Sequence, residues 1–160
     1  MTEDIDAKDV EILEMLRKDS RTSMGFIADK LGISKATVSR RIAKLEEDRV
    51  IVNYSLEIDP SKINVLRSFL YLQVVGSPVS VVIDELRKYK EVRHIYKSFG
   101  DHNLICELYT RSVDDLYEMI QTHVLKMTSI KNVEVDIIVE RMAVDENADL
   151  RLYGRENPVR

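Results

Sequence analysis

One cysteine, three prolines and five glycines are all that 160 residues contain of these types. A lone thiol, Cys106, closes no intramolecular disulfide, and the apolar run from Leu104 to Leu108 around it marks a small buried side chain. So little proline and glycine excludes a collagenous or linker-like chain. With 44% hydrophobic and 32% charged residues, disorder is excluded as well. No apolar stretch approaches the ~20 residues of a membrane span. The start, Met1-Thr-Glu-Asp-Ile-Asp, is too acidic for a secretory or transit signal, so a reducing cytoplasm is the expected location. A large excess of one charge is also missing. The 24 basic and 28 acidic residues leave a net charge of −4, which opposes a histone-like protein that grips DNA with its whole surface.

What is present is a strongly patterned chain, about the size of one ordinary domain or two small ones. Asp6 can cap a first helix with Ile12, Leu13 and Leu16 on one face, broken at Asp19-Ser20. Ser23 can cap a second with Phe26, Ile27 and Leu31, and Gly32 stands where a left-handed turn ends it. Ser34 can cap a third with Val38, Ile42 and Leu45. From Val50 to Ile58 the period shifts toward strand, and Asp59-Pro60-Ser61 is the clearest turn.

Beyond it strand and helix alternate. Leu66 to Val75 is β-rich, and Gly76-Ser77-Pro78 opens a helix with Val79, Val82, Ile83, Leu86 and Tyr89 on one face. Two strands, Val92 to Phe99 and Leu104 to Thr110, flank the hairpin signal Gly100-Asp101-His102-Asn103. A helix with Val113, Leu116, Tyr117, Ile120 and Val124 follows. Val133, Val135, Ile137 and Val139 then alternate along a last strand. The order βαββαβ is the ferredoxin-like α+β plan. The expected domains are 1–54, a helix-turn-helix unit; 55–65, a linker strand and turn; 66–140, the βαββαβ unit; and 141–160, read as a mobile tail.

Charge is distributed unevenly. Residues 1–33 hold 5 basic and 8 acidic residues, whereas residues 34–45 hold 4 basic and none acidic. With Val38, Ile42 and Leu45 buried, the third helix turns Ala36, Thr37, Arg40 and Lys44 outward, flanked by Lys35, Ser39 and Arg41. Such a surface suits a DNA major groove: small residues permit close approach, and Arg and Lys reach guanine edges and phosphates. Ala28, Gly32 and Val38 also fall at helix-turn-helix offsets, where a small residue lets helices approach and a glycine allows the turn.

These residues resemble the Lrp/AsnC (leucine-responsive/asparagine-operon regulator) family of bacterial and archaeal transcription factors. The likeness runs through Ile5-Asp6-x-x-Asp9-x-x-Ile12-Leu13, Asp19-Ser20-Arg21-Thr22-Ser23, Ala28-x-x-Leu31-Gly32-Ile33-Ser34, Val38-Ser39-x-Arg41-Ile42-x-x-Leu45-Glu46 and Val50-Ile51. It spans about residues 4–140. The resemblance implies a winged helix-turn-helix reader joined to a βαββαβ (RAM-type) regulatory domain for effector binding and dimerisation. It also implies a homodimer that assembles further, as an octamer or an open array, and amino acids or related small molecules as effectors. Ser34, Lys35, Ala36, Thr37, Ser39, Arg40, Arg41 and Lys44 are the expected DNA-binding residues. Lys35, Thr37, Ser39 and Arg40 would face bases, while Arg41, Lys44 and the backbone N–H groups at the Ser34 cap would hold phosphates. Gly100, Asp101, His102, Asn103 and Asp136 are the expected effector site. The expected partner is a pseudo-palindromic double-stranded operator with half-sites ~34 Å apart or a multiple of it.

Five positions depart from the family pattern. Asn103 stands where aspartate is common, so it loses the Coulomb attraction for an ammonium group yet keeps a donor and an acceptor. Asp136 and Ile138 replace threonines of the last strand, and Arg49 and Asn64 replace glycines.

Other constellations read blandly. His94, His102 and His123 have no metal-ligand spacing, and His102 reads as a solvated turn histidine. Glu107, Glu134 and Asp136 can share one face of the sheet, paired with Arg67, Arg93 or Lys97. There is no Gly-rich phosphate loop or exposed nucleophile pattern, so no enzymatic activity, cofactor or metal is expected. Two alternatives use the same architecture: a siroheme-decarboxylase-like enzyme, and an architectural protein that coats DNA with little sequence choice.

Overall fold

The computed structural model describes residues 5–156, which fall into two compact units: residues 5–56 with 142–156, and Glu57–Arg141. The chain therefore leaves the first unit after Leu56 and returns to it after Arg141. No helix among the described residues is long and apolar enough to cross a membrane.

Three capped helices open the first unit. In α1 (Ala7–Lys18) Asp6 and Asp9 close a reciprocal capping box, each carboxylate accepting the other's backbone N–H, so two otherwise orphaned donors are satisfied. In α2 (Met24–Leu31) the Ser23 hydroxyl accepts from Phe26 N, and Gly32 ends the helix at φ 63°. In α3 (Lys35–Glu47) Ser34 accepts from Thr37 N. Ile12, Leu16, Ile27, Ala28, Val38, Ile42 and Leu45 form one buried core. Ala28 and Val38 are 4% and 0% exposed, as close helix packing at these offsets requires. Phe26, expected on the inner face, is instead half exposed with Lys30 Nζ above its ring.

Two segments depart from the expected elements. Val50 to Ile58 forms no strand, because no described residue pairs with it. Its start is bound to α3 instead, through Val50 N and Ile51 N donating to Leu45 O and Tyr54 Oη donating to Glu46 Oε1. The segment read as a mobile tail contains a helix, α6 (Ala148–Glu156), held against α1 by the Arg17–Asp149 pair. Its local composition is polar, and its place is set by distant groups, Arg17 and the backbone of Ile5. Pro158 lies outside the described residues.

Arg49 sits at φ 56°, the left-handed region that costs an L-residue about 1–2 kcal/mol. Glycine's greater freedom in the unfolded chain returns about 0.5–1 kcal/mol of that. Arg49→Gly should therefore stabilise the protein by up to ~1 kcal/mol, read as a higher thermal midpoint. A lower midpoint would show that the Arg49 side chain contributes more than the strain costs. Asn64, at φ 54°, ends the short 3-10 turn Pro60–Ile63 that Asp59 caps.

In the second unit β1 (Leu66–Val74), β2 (Val92–Lys97), β3 (Leu104–Thr110) and β4 (Ile130–Ile138) make one antiparallel sheet in the order β2-β3-β1-β4. Two helices, α4 (Val79–Leu86) and α5 (Val113–Met119), the latter continued by a π turn over Ile120–Val124, cover one face. This is the ferredoxin-like arrangement. Leu70, Leu72, Leu86, Leu104, Leu108 and Val124 are fully buried between the layers. Cys106 joins them, and burial pushes its thiol up to about 12, so it is an inert core residue. Val113 and Tyr117, expected on the inner face of α5, are exposed, whereas Leu116, Ile120 and Val124 are buried as expected and Met119 joins them.

Candidate functional site

The period of α3 divides it cleanly. With Val38, Ile42 and Leu45 inward, Lys35, Ala36, Ser39, Arg40 and Lys44 are exposed along the outer side. Arg40 makes no hydrogen bond or ion pair among the described residues. Ser34, at the helix start, is committed to its cap, and Thr37 Oγ1 lies 2.8 Å from Ser34 Oγ.

Arg41 departs from the expected phosphate contact. Its Nη1 donates to Asp6 Oδ2 at 2.7 Å and to Asp9 Oδ1 at 2.8 Å, and the side chain is only 25% exposed. Burial pushes the Asp6 carboxyl up, but the Asp9 backbone N–H and the Arg41 guanidinium outweigh it and hold Asp6 below its usual value. The capping box of α1 thus doubles as the anchor of α3. Asp6 was visible as a capping residue, but the pairing of Asp6 and Asp9 with Arg41 is set by a partner more than thirty positions away.

On the second unit, the face of the sheet away from α4 and α5 is polar and aromatic. Register places Glu107 and Asp136 on either side of Phe69, and Ile105 and Glu134 on either side of Tyr71. The three expected carboxylates therefore share one face, and one of the expected partners, Arg67, pairs with Glu107. Glu107 is 3% exposed and accepts from Arg67 Nε at 2.7 Å and Tyr109 Oη at 3.0 Å, with His94 Nδ1 at 2.6 Å. Arg93 stacks over Tyr109 at a bulge. Lys97 pairs with Leu104, which lies on the helix-covered face.

Burial pushes the Glu107 carboxyl up, yet the bonds from His94 and Tyr109 and the charge of Arg67 hold it below the usual value. Its contribution to stability is full above the ordinary glutamate range and is lost as pH falls through the lowered value. Glu107→Gln should thus unfold more readily than the native protein at pH 7. The two should converge as acid protonates the native carboxylate, which denaturant titrations at descending pH would read. A gap that persists in acid would show that packing, not charge, separates them.

The hairpin brings its residues together unequally. Gly100, at φ 140°, and Asp101 are exposed at the tip. His102 is no solvated turn residue: its side chain is 20% exposed, its ring centre lies 5.9 Å from that of Tyr71, and Nε2 lies 3.3 Å from Glu134 Oε1. Burial and the neighbouring Asp136 carboxylate push the Tyr71 phenol above its usual value. Register sets Glu134 beside Tyr71 with Asp136 two positions along the same face, and His102 stands against Tyr71 and Glu134, so the four form one continuous patch. Asn103 points elsewhere. Its Oδ1 accepts from Val74 N at 2.8 Å, and its Nδ2 donates to Val74 O at 2.9 Å. The amide copies a backbone pairing and closes the end of β1, using one of its two donor hydrogens and one of its two acceptor lone pairs. Tyr71 and Asn132, whose Nδ2 donates to Glu134 Oε1 at 3.1 Å and lies 3.4 Å from His102 Nε2, escaped the sequence reading, although alternation along β1 puts Arg67, Phe69 and Tyr71 together on one side.

Comparison with known proteins agrees with both units. Residues 5–52 match a winged helix-turn-helix DNA-binding model, and residues 69–147 match the Lrp/AsnC ligand binding domain. The HTH-type transcriptional regulator LrpA of Pyrococcus horikoshii is 34% identical over 139 residues, covering 86% of this chain and 99% of the relative. LrpA1 of Halobacterium salinarum is 30% identical, covering 82% and 93%. Among solved structures, Escherichia coli AsnC superposes with a TM-score of 0.79 at 21% identity, covering 89% of this chain and 97% of that one. A transcriptional regulator from Neisseria meningitidis, solved as its complex with L-Met, gives a TM-score of 0.80 at 15% identity, covering 89% and 95%. Fold and relatives together define a DNA-binding transcription regulator with a winged helix-turn-helix domain and a ferredoxin-like ligand-binding domain. The chain belongs to the Lrp/AsnC family.

Proposed function

We propose that this regulator reads a pseudo-palindromic operator as a homodimer or larger assembly, through the outer row of α3, and carries out no catalysis. The observation that carries the reading is the exposed set Lys35, Ala36, Ser39, Arg40 and Lys44 above a buried Val38, Ile42 and Leu45. Lys35, Ser39 and Arg40, with Thr37, address base edges. Lys44 and the N-terminal backbone of α3 at Ser34 hold phosphates. Arg41 belongs to the scaffold.

The effector proposal rests on the patch beside the hairpin. Gly100 and Asp101 at the tip, with His102 and Asp136 on the open face, offer donors and acceptors to a small zwitterion such as an amino acid. Asn103 shapes the hairpin without addressing the ligand. The L-Met complex of the Neisseria regulator favours this class of effector. Both alternatives are less well supported: the relatives are regulators, and the basic groups concentrate on α3 instead of converging in the second unit.

The test is fluorescence anisotropy on random and selected duplexes across a salt series. A selected duplex bound at least ~10³-fold more tightly than random DNA establishes sequence reading. Equal binding that vanishes with salt would leave only an electrostatic face.

A further inference from the structure

The C-terminal helix α6 lies beyond both family models, the second of which ends at residue 147. It runs antiparallel to α1 and holds it at both ends. At the C-terminal turn, Arg17 forms a bidentate pair with Asp149, Nη1 to Oδ1 at 2.5 Å and Nη2 to Oδ2 at 2.9 Å, and Nη1 also donates to Glu146 O at 2.6 Å. At the N-terminal end, Ile5 N donates to Tyr153 Oη at 3.2 Å. Ile5 immediately precedes Asp6, whose carboxylate caps α1 and pairs with Arg41 of α3. Arg41 follows Arg40 and lies one turn beyond Thr37, so the position of its guanidinium sets the rotation and height of the reading row.

We propose that Tyr153 and Asp149 of α6 are positioning residues for DNA reading, acting through the first turn of α1 and its Asp6/Asp9–Arg41 pairs. This rests on the reading role of α3 proposed above. An exposed ion pair contributes little to stability. A bidentate pair at one end of a helix and a hydroxyl–amide bond at the other instead fix where that helix sits. Neither Tyr153 nor Asp149 touches DNA in this scheme. Their loss should lower affinity for the operator while leaving random DNA and the salt dependence alone, since the salt slope counts phosphate contacts.

The test compares full-length native protein with Tyr153→Phe, with Asp149→Arg, and with Asp149→Arg combined with Arg17→Asp. Each is titrated with the selected duplex and with random duplex across a salt series, well below its thermal midpoint. Tyr153→Phe should weaken operator binding about two- to tenfold, the range of one hydrogen bond. Asp149→Arg adds positive charge, which by Coulomb attraction alone would tighten DNA binding. A loss of operator affinity would therefore run against that trend, and adding Arg17→Asp should restore it. Unchanged operator affinity in Tyr153→Phe and Asp149→Arg overturns the proposal, even if their midpoints fall, because α6 is then only a brace. A parallel loss on random DNA overturns it too. If the native protein itself fails to distinguish the two duplexes, the DNA-reading proposal falls first, and this one falls with it.

Discussion

Arg40→Ala is expected to lose about 1–3 kcal/mol of binding to the selected operator, a factor of roughly 5 to 150, while binding to random duplex falls far less. The physical reason is the geometry of the guanidinium, whose two parallel donors match O6 and N7 of guanine. Arg40 is exposed and unengaged among the described residues, so no internal bond must break before it reaches a base. Its neighbour Arg41 provides the internal contrast, since its charge is already spent on Asp6 and Asp9. The measurement is the pair of affinities over a salt series. A specific loss with an unchanged salt slope assigns Arg40 to a base. An equal loss on every sequence, with the slope reduced by ~1, would make Arg40 a phosphate contact and move base reading to Lys35, Thr37 and Ser39.

Asn103→Asp should destabilise the protein by about 1–3 kcal/mol, although aspartate is the residue common in the family. The amide both gives and takes a hydrogen bond at Val74, and an ionised carboxylate can only accept. It would leave Val74 O without its partner and face it with a negative charge. Denaturant unfolding of the full chain at pH 7 reads the cost. The gap should narrow in acid, where a protonated aspartate regains one donor. Equal stability at pH 7 would show that the hairpin end rearranges freely and that the amide pair closes nothing. For function, Asn103→Asp would also add a negative charge beside the proposed effector patch.

Much of the molecule was legible along the chain because its signals are local. Asp6, Ser23 and Ser34 cap helices whose first bonds lie three residues away. Gly32 turns the chain within one residue, and the basic row of α3 follows from helical period alone. Alternation in the last strand likewise set Val133, Val135 and Ile137 apart from Glu134 and Asp136. The expected strand from Val50 to Ile58 shows the limit of such reasoning: alternation supplies a surface for pairing but not a partner.

Local pattern by itself determined the three-helix reader, the βαββαβ order and the basic face of the reading helix. Tertiary structure alone decided that Arg41 anchors to α1, that Asn103 closes the end of β1, that His102 folds onto Tyr71, and that α6 docks along α1. Each of these decisions joins residues about thirty or more positions apart. Periodicity specifies which side of an element is polar. Only the folded chain specifies which distant group that side will meet.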